Sequence, residues 1–388
     1  MTSLDCSMFT AKVEEKRALN LYRNRQHVEK QNARSIVIDG RKYLNFSSND
    51  YLGLNHHVDI NKAFAQGAEK FGTCSSASSL ITGYQYPHKA LEEKICEWLN
   101  MPNCLLFGSG FSANFGVLET LGQSDVGLCL DKLSHASLID GAIASGTELK
   151  RFKHNDAKHL DIQLAKFKKE TKFIVSEGIF SMDGDAANID MLVESAIKYN
   201  AGLFIDDAHA IGVVGSKGQG SISKNAKIDI VMATFGKAIA TSGAFVACND
   251  AIHEYLTNFC RHYIYSTAIS PAVAWATAKS IEIIKEENWR RDKVHYLSRL
   301  LTSSLDKNYQ LISSDSSIHA IVLGDEKQAL AVSQQLKDEY GIWLSAIRPP
   351  TVPSNTSRLR VTITASHNDR DIKRLVDCLH EVLYKCQT

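Results

Sequence analysis

The sequence lacks the features that mark several specialised classes of protein. Its 388 residues contain no CxxC pair and no Cys/His spacing of the zinc type. No stretch approaches roughly 18 uninterrupted apolar residues, the length that a membrane-spanning helix needs, and the first residues lack the apolar core of a signal peptide. The nine cysteines are an odd number, which favours free thiols in a reducing compartment. We therefore expect a cytoplasmic protein with no metal site and no membrane span.

Neither sign of charge dominates the chain. Lys and Arg number 44 against 43 Asp and Glu, so the formal net charge is only +1. No overall field therefore favours nucleic acid or an anionic membrane as a partner. With 44% hydrophobic and 22% charged residues, the chain has enough apolar surface for one large core and smaller additional ones.

The pattern of apolar residues divides the chain into three regions. Residues 1–48 predict a small module with a charged helix over 11–25 and a β-hairpin that turns at Asp39-Gly40. Residues 49–285 alternate strand-like and helix-like runs, which is typical of parallel strands joined by right-handed helical crossovers. Residues 286–388 predict an α+β lobe that ends in an amphipathic helix.

These regions together predict an α/β protein. We expect a large domain with a doubly wound, mostly parallel sheet, a small N-terminal module and a C-terminal α+β lobe. The run near Phe245 is expected to add an antiparallel strand to the large sheet. Only 6 prolines occur, and the pair Pro349-Pro350 predicts a rigid loop near the end of the chain that is suited to holding a functional arginine.

Residues 203–246 carry the strongest chemical signal. A first apolar run ends at Asp206, with His209 just after it, and a second run leads to Lys237. In an open α/β sheet, residues just past the carboxyl ends of strands face the ligand crevice. A lysine there can form a Schiff base, and a buried aspartate keeps a heteroaromatic nitrogen protonated. Pyridoxal phosphate requires both groups, although a lysine at a strand end is by itself more often a solvated surface residue.

Two other interpretations remain open at this point. The motif GSGFSA predicts a helix N-terminus suited to an anion, but it also matches the loose dinucleotide fingerprint, with Asp131 near the position of a ribose-binding acid. A nicotinamide-dependent dehydrogenase is therefore an alternative. Ser181, His209 and Asp206 formally allow a hydrolase triad, yet there is no GxSxG elbow, and Asp206 lies too near His209 in the sequence.

The sequence resembles the α-oxoamine synthases, a family of fold-type-I pyridoxal-phosphate enzymes. These enzymes condense an amino acid with an acyl thioester and release CO2. The resemblance covers nearly the whole chain and is carried by NFSSNDYLGL, LSHASL, EGIFSMDGD, DDAHAIG, TFGKAIATSGAFV, RHYIYSTAISPA and AIRPPTVPSNTSRLRVTITASH. It implies the fold-type-I transferase fold, pyridoxal 5'-phosphate as cofactor, and a homodimer with the active site at its interface.

The resemblance also implies substrates. The RPPTVP loop favours the member that joins L-alanine to a pimeloyl thioester, carried by coenzyme A or by an acyl carrier protein. Relatives that use glycine and acetyl-CoA, or a longer fatty acyl thioester, are the alternatives. A basic stretch near Arg23, Arg25 and Lys30 could serve either carrier, or neither of them.

Carried onto this sequence, the family pattern assigns a role to each matching residue. Lys237 is implied to be the Schiff-base lysine, Asp206 the partner of the pyridinium nitrogen, and His209 the ligand of the ring oxygen. His135 is implied to stack on the cofactor ring. The other implied cofactor contacts are Gly110, Phe111, Ser181 and Thr234, together with Ser266 and Thr267, which would reach the phosphate of the neighbouring subunit. The implied substrate contacts are Arg23, Asn49, His135, Thr351 and Arg360, of which Arg360 suits a bidentate pair with the amino-acid carboxylate.

Three stretches depart from the family pattern. Ala240 stands where glycine is common, Ala210-Ile211 replaces small or hydroxylated residues, and residues 74–79 carry no glycine. None of these changes removes a catalytic group. We expect them to alter the local loop geometry and the acyl-chain pocket.

Overall fold

The computed structural model describes residues 5–223 and 227–385 of the chain. Its helices are α1 (Ser7–Ala18), α2 (Val58–Phe71), α3 (Tyr86–Leu99), α4 (Gly110–Gly122), α5 (Ala136–Ala144), α6 (Ala157–Ala165), α7 (Ile189–Lys198), α8 (Asp250–Phe259), α9 (Arg261–Ile264), α10 (Pro271–Glu286), α11 (Asn288–Ser304), α12 (Glu326–Asp338) and α13 (Asp369–Lys385), with a π-helical turn at Ser79–Gly83 and a 3-10 turn at Gly220–Ser223. Its strands are β1 (Lys30–Gln31), β2 (Ser35–Ile38), β3 (Arg41–Asn45), β4 (Asn103–Phe107), β5 (Gly127–Asp131), β6 (Leu149–Phe152), β7 (Lys172–Glu177), β8 (Gly202–Asp206), β9 (Ile230–Thr234), β10 (Ala244–Cys248), β11 (Gln310–Leu311), β12 (Ile318–Gly324), β13 (Ile342–Trp343), β14 (Ser345–Ile347) and β15 (Ser357–Thr362).

The N-terminal region contains the predicted hairpin and a helix that is displaced from its predicted position. β2 and β3 pair around Asp39-Gly40, whose φ angles of +50° and +71° are those of a two-residue type I′ turn. α1 runs over Ser7–Ala18, earlier than the predicted 11–25, and buries none of its residues. β3 also pairs in parallel with β13, so the C-terminal region completes this first sheet. The three domain ranges given above stay a prediction.

The central sheet confirms the predicted fold class. Its strand order is β4-β10-β9-β8-β7-β5-β6, and β10 is the predicted antiparallel strand, pairing with β4 on one side and β9 on the other. The remaining pairs are parallel. β5 and β10 are buried at every position, because helices cover both faces of a parallel sheet and its strands become almost continuously apolar.

Two apolar clusters lie on the two faces of this sheet. Along β5, Cys129 belongs to one cluster while Leu128 and Leu130 belong to the other, as alternation along a strand requires. Helices α3, α6, α7 and α10 cover the first face, and α4, α5 and α8 cover the second. Each fully buried leucine in such a core contributes roughly 1.5–3 kcal/mol relative to exposure. The packing therefore fixes the strand ends that carry the polar residues of the site.

The C-terminal lobe has its own core. Its sheet has the order β11-β12-β15-β14, and a third apolar cluster joins it to α11, α12 and α13. The predicted apolar face of the last helix is buried there, through Ile372, Leu375, Val376, Leu379, Val382 and Leu383. The lobe contacts the large domain through β15, which carries Arg358 and Arg360.

The described residues contain neither a disulfide bond nor a cluster of side chains suited to a metal ion. Eight cysteines are free thiols, and Cys386 lies outside the described residues. Over residues 5–223 and 227–385, no three His, Cys, Asp or Glu side chains converge as metal ligands would. Over the same residues, none of the helices combines the length and apolar character needed to cross a membrane.

Candidate active site

Polar residues from several strand ends meet in one cavity at the carboxyl edge of the central sheet. The cavity has a volume of about 200 Å³. It is lined by Gly110, Phe111, Asn114, His135, Ser137, Glu177, Asp206, Ala208, His209, Met232, Thr234 and Lys237. Parallel strands bring their carboxyl ends to the same edge, which is why residues distant in sequence converge here. Seven of the predicted site residues lie in this lining: Gly110, Phe111, His135, Asp206, His209, Thr234 and Lys237.

Asp206 ends β8 as a buried carboxylate, 4% exposed. Asn114 Nδ2 donates to its Oδ2 at 2.7 Å, and the Ala208 backbone N–H donates to its Oδ1 at 2.9 Å. Both of these donors are neutral, so they orient the carboxylate without neutralising its charge. A buried carboxylate of this kind is stabilised by a cationic N–H group in the cavity.

His209 lies between Tyr51 and Lys237. Its Nδ1 is 2.6 Å from the Tyr51 hydroxyl, and its Nε2 is 2.7 Å from Lys237 Nζ. Burial first, and then the neighbouring cations Lys237 and Arg360, hold the pKa of His209 well below its usual range. The imidazole is therefore neutral and carries a single proton. When the Tyr51 hydroxyl donates to Nδ1, that proton is on Nε2, the nitrogen nearest Lys237; when the Lys237 ammonium donates to Nε2, it is on Nδ1.

The Lys237 ammonium is costly to maintain in this site. Burial lowers its pKa to about 8, although Asp206 and Glu177 favour the charged form. Glu177 is buried at the end of β7, and burial together with the charge of Asp206 raises its pKa well above the usual range. A lysine with a pKa near 8 is still mostly an ammonium at physiological pH, but its neutral form is far more accessible than that of an ordinary lysine, and the neutral form is both a nucleophile and a base.

His135 stands at the start of α5, facing the same cavity. Its backbone N–H donates to Glu177 Oε1 at 2.6 Å, and its Nδ1 contacts the Ser137 hydroxyl at 2.8 Å. Burial lowers the pKa of the imidazole, while Asp206 partly opposes this effect. The ring is therefore held at the cavity wall from both its backbone and its side chain, and its stacking on a cofactor stays a prediction.

The N-terminus of α4 supplies the anion-binding element predicted from GSGFSA. Ser109 caps the helix by accepting from the Ser112 N–H at 3.1 Å, and the helix starts at Gly110, next to Thr234. Thr234 donates to the Gly243 carbonyl at 3.0 Å. Free backbone N–H groups and the helix dipole attract a phosphate at such a position.

One predicted substrate residue, His135, lines the cavity, and the other four lie outside its lining: Arg23, Asn49, Thr351 and Arg360. Arg360 Nε donates to the Ser181 carbonyl at 2.6 Å, and its Nη1 contacts Asn49 Oδ1 at 3.3 Å. Arg23 contacts the exposed Thr351 at 3.5 Å. Arg360 and Asn49 therefore form one cluster with Ser181, and Arg23 and Thr351 form a separate surface pair.

Ser266 and Thr267 lie outside the cavity of their own chain. Thr267 pairs with Ser78 in an isolated antiparallel bridge, and the Ala268 N–H donates to the Ala77 carbonyl at 3.0 Å. These bonds join the segment to the 74–83 connector. The connector is thus partly ordered by the bridge and by its π-helical turn.

The sequence interpretation missed five residues of the cavity lining, Asn114, Ser137, Glu177, Ala208 and Met232, and it also missed Tyr51, which contacts His209. Glu177 ends an apolar run in the same way as Asp206, so its position in the sequence could have predicted that it belongs to the site. Asn114 lies one turn inside α4, and Tyr51 belongs to a loop distant in sequence, so neither shows a local pattern. Their contacts with Asp206 and His209 arise only from the packing of the chain.

Asp131 has no role available in dinucleotide binding. It is 1% exposed, accepts from the Leu133 N–H at 2.8 Å and lies 3.1 Å from His154 Nδ1. The sheet order also differs from the 3-2-1-4-5-6 order of dinucleotide-binding folds. These two observations remove the structural basis of the dehydrogenase alternative.

The backbone of the lysine-bearing loop is strained at Ala240. Its φ of +59° is left-handed, which costs a non-glycine residue about 1–2 kcal/mol.

We expect Ala240→Gly to raise the free energy of unfolding by about 0.5–1 kcal/mol, since glycine's greater freedom in the unfolded chain offsets part of the relief. Urea denaturation measures this change. Ala238→Gly, at a buried position without positive φ, is the matched control and should lower the midpoint; a lower midpoint for Ala240→Gly would contradict the strain.

The fold and the cavity agree with comparisons to known proteins. The chain belongs to the aminotransferase class I and II family, whose model matches residues 41–379. Within that family it belongs with the 8-amino-7-oxononanoate synthases. It is 43% identical to the 8-amino-7-oxononanoate synthase of Photobacterium profundum, over 96% of this chain and 95% of that protein, and 42% identical to the synthase of Saccharophagus degradans over the same shares.

Solved structures support the same relationship. A serine palmitoyltransferase from S. paucimobilis with bound PLP and myriocin superposes with a TM-score of 0.93 at 28% identity, covering 99% of both chains. An 8-amino-7-oxononanoate synthase from Francisella tularensis superposes with a TM-score of 0.77 at 28% identity, covering 89% of this chain and 99% of that one. The predicted membership of a pyridoxal-phosphate transferase family is confirmed.

Proposed function

We propose that this chain condenses L-alanine with a pimeloyl thioester, giving 8-amino-7-oxononanoate, CO2 and the free thiol carrier. This is a step of biotin biosynthesis, and it requires pyridoxal 5'-phosphate. The observation that carries the proposal is the meeting of Asp206, His209 and Lys237 in one cavity, in a chain whose full-length relatives at 42–43% identity are named for this reaction. The reducing cytoplasm is the compartment that we propose for it.

The described residues fit pyridoxal phosphate. Asp206 is a buried carboxylate held by neutral donors, so it suits the protonated nitrogen of a pyridine ring. The Nε2 proton of His209 suits the phenolic oxygen, Lys237 suits the aldehyde, and the start of α4 at Gly110 suits the phosphate. When bound, the cofactor withdraws electrons from the bond to the amino-acid α-carbon, so that a carbanion can form there.

The protein residues bind the amino acid and move its proton. Arg360 donates two N–H groups in a planar fork, which matches the carboxylate of L-alanine. Lys237 Nζ, with its pKa of about 8, accepts the α-proton and later returns a proton to the same carbon. His209 stays neutral because its pKa is held low, so its Nε2 donates without competing for that proton.

The substrate assignment is tested by the ranking of substrates in a thiol-release assay. We expect L-alanine with a pimeloyl thioester to exceed glycine with acetyl-CoA in kcat/KM by at least ~10-fold, since each fitted methylene contributes about 1–3 kcal/mol. The assay uses pimeloyl-CoA and pimeloyl carrier protein in parallel, which also identifies the carrier. A faster reaction of glycine with acetyl-CoA would reject the substrate assignment and leave the cofactor assignment intact.

We also propose that the enzyme is a homodimer in which Ser266 and Thr267 reach the phosphate bound by the partner. The support is an exposed apolar surface beside them, which includes Ile81 at 76% and Tyr265 at 71% exposure. Contiguous exposed surface of this kind marks protein–protein contact. We expect Ile81→Asp to shift the protein to monomer in sedimentation analysis, whereas Ile197→Asp, at the exposed Ile197 of α7, should leave the dimer intact. A monomeric parent protein would refute the arrangement.

A further inference from the structure

His154 connects two segments of the active site without lining the cavity. It lies between β6 and α6, and its Nδ1 is 3.1 Å from both carboxylate oxygens of Asp131. Its Nε2 is 2.6 Å from Asp185 Oδ2. Its ring packs edge-on against Phe180 at a centroid distance of 4.3 Å. Both ring nitrogens are therefore used, and each is bound to a carboxylate from a different part of the chain.

The Asp131 side of this contact supports the turn that presents His135. Asp131 ends β5, is almost completely buried and accepts from the Leu133 N–H at 2.8 Å. The Ser134 N–H donates to the Asp131 carbonyl at 3.2 Å. The turn between β5 and α5 is thus built on Asp131, and His154 holds that carboxylate from the opposite side.

The Asp185 side supports residues 178–187, which we call the Ser181 loop. Within it, the Phe180 N–H donates to the Asp185 carbonyl at 2.9 Å, and the Gly184 N–H donates to the Phe180 carbonyl at 2.8 Å. Gly184 has a φ of +79°, and a Cβ there would lie 2.0 Å from the Ile318 carbonyl oxygen. The loop is therefore a tight turn pressed against the C-terminal lobe.

The opposite side of the Ser181 loop is held by the two arginines of β15. Arg358 forms an ion pair with Asp183, and both side chains are largely buried. Arg360 donates through Nε to the Ser181 carbonyl at 2.6 Å. The direction of the Arg360 guanidinium is therefore set in part by the position of this loop.

We propose that His154, bound at both ring nitrogens, is a positioning residue that sets the Ser181 loop and, through it, the guanidinium of Arg360. Its loss then weakens binding of the amino-acid carboxylate without removing any group that takes part in bond making. The inference rests on the proposed function, because it assigns the substrate carboxylate to Arg360. It concerns a residue outside the cavity, and its contacts stand independently of the cofactor.

The double contact requires a protonated imidazole. Only imidazolium donates from both nitrogens, and the two acceptors are carboxylates. Burial lowers the pKa of His154, but the hydrogen bonds and charges of Asp131 and Asp185 raise it more, to about 9. Among the described residues, the charged groups acting on it are Asp131 at the end of β5 and Asp185 of the Ser181 loop; its other neighbours, Phe180 and Asn155, are neutral.

The pH dependence follows from the raised pKa. A histidine whose folded-state pKa lies above its ordinary value near 6.5 stabilises the folded contact fully below that ordinary value. The contribution is lost as the pH rises through about 9, where the second hydrogen-bond donor disappears. We therefore expect the KM for L-alanine to rise between pH 8 and 10 in the parent enzyme.

Two variants of the holoenzyme test the assignment. For His154→Gln we expect the KM for L-alanine at pH 8 to rise about 10-fold, with kcat changed less than about 3-fold, as for loss of a residue that orients a binding group. Its KM should no longer rise above pH 8. Asp185→Asn keeps His154 but removes one of its carboxylates, so the rise should occur about one pH unit lower. His159→Gln is the matched control, since His159 lies in the neighbouring helix α6 and its imidazole hydrogen-bonds the Lys153 N–H and Gln163, neither of which lines the cavity.

A direct titration separates this inference from the proposed function. Selective ¹³C labelling of histidine and NMR, with the resonance assigned by its loss in His154→Gln, should give His154 a pKa near 9. Asp185→Asn should lower that value. If the parent protein does not turn over L-alanine, the proposed function is wrong. The titration would still show whether His154 is bound to both Asp131 and Asp185. A His154 that titrates near its ordinary value, or a His154→Gln enzyme with an unchanged KM profile, would overturn the positioning role.

Discussion

Lys237→Ala is expected to abolish turnover and to remove the absorption band near ~420 nm of pyridoxal phosphate bound through a lysine. Lys237 is the amine in the cavity, and its lowered pKa of about 8 makes it both the group that binds the aldehyde and the base for the α-proton. General acid–base catalysis alone contributes about 10²–10⁴-fold. We therefore expect kcat to fall by at least ~10⁴-fold, measured by thiol release under saturating substrates.

The control for this change is an exposed lysine of α7. Lys198→Ala removes a lysine whose partner is Asp161, at a distance from the cavity, and should keep both the absorption band and the activity. Surface ion pairs of this type contribute only about 0–1 kcal/mol to stability. Retention of the ~420 nm band in Lys237→Ala, or colourless parent protein that takes up no pyridoxal phosphate, would be incompatible with the assigned cofactor chemistry.

Asp206→Asn should give the second-largest loss. The amide has nearly the same shape but carries no charge, so it cannot hold a proton on the ring nitrogen of the cofactor. Preorganised electrostatic groups of this kind are typically associated with about 10²–10³-fold in kcat, and we expect a loss near ~10³-fold. The measurement is kcat for L-alanine with the pimeloyl thioester, together with the wavelength and pH dependence of the cofactor spectrum.

Asp156→Asn provides the comparison. Asp156 caps α6 by accepting from the His159 N–H at 2.9 Å, and asparagine is an equally good residue at a helix N-terminus. We expect wild-type activity and an unchanged spectrum there. A group of this kind should cost at least about 10²-fold in kcat, which leaves about a hundredth of the activity. If Asp206→Asn retained more than about a tenth of kcat, Asp206 would not be the partner of the ring nitrogen.

Much of the site was predictable because its residues follow short apolar runs. Asp206 is the last residue of β8, and Lys237 lies three residues past the end of β9. The carboxyl ends of parallel strands lie at one edge of the sheet, so both positions could be placed there from the sequence. The apolar face of α13 was predictable for a similar reason, since its period of 3.6 residues is set by the helix itself. Local periodicity in the sequence was therefore enough to predict the fold class and the positions of Asp206 and Lys237.

The remaining features depend on contacts between distant segments. Tyr51 contacts His209 across 158 residues of sequence, and the sequence around neither residue predicts this contact. α1 was misplaced because it buries no residue, so no apolar stripe indicated its limits. Substrate residues such as Arg360 were assigned by resemblance, and their roles stay predictions until the substrate assays are done.

The way β9 leads into β10 affects how the protein folds. Residues 235–243 join these two antiparallel neighbours, whose register pairs Thr234 with Ala244, whereas β4 and β10 pair Phe107 with Ala244 across a long stretch of chain. Short loops close in far less time than long ones. The turn that bears Lys237 should thus form early, before the parallel strands assemble around it, and pulse-labelled hydrogen exchange should find the β9–β10 amides protected ahead of those of β5 and β7. Simultaneous protection of all these strands would contradict this order.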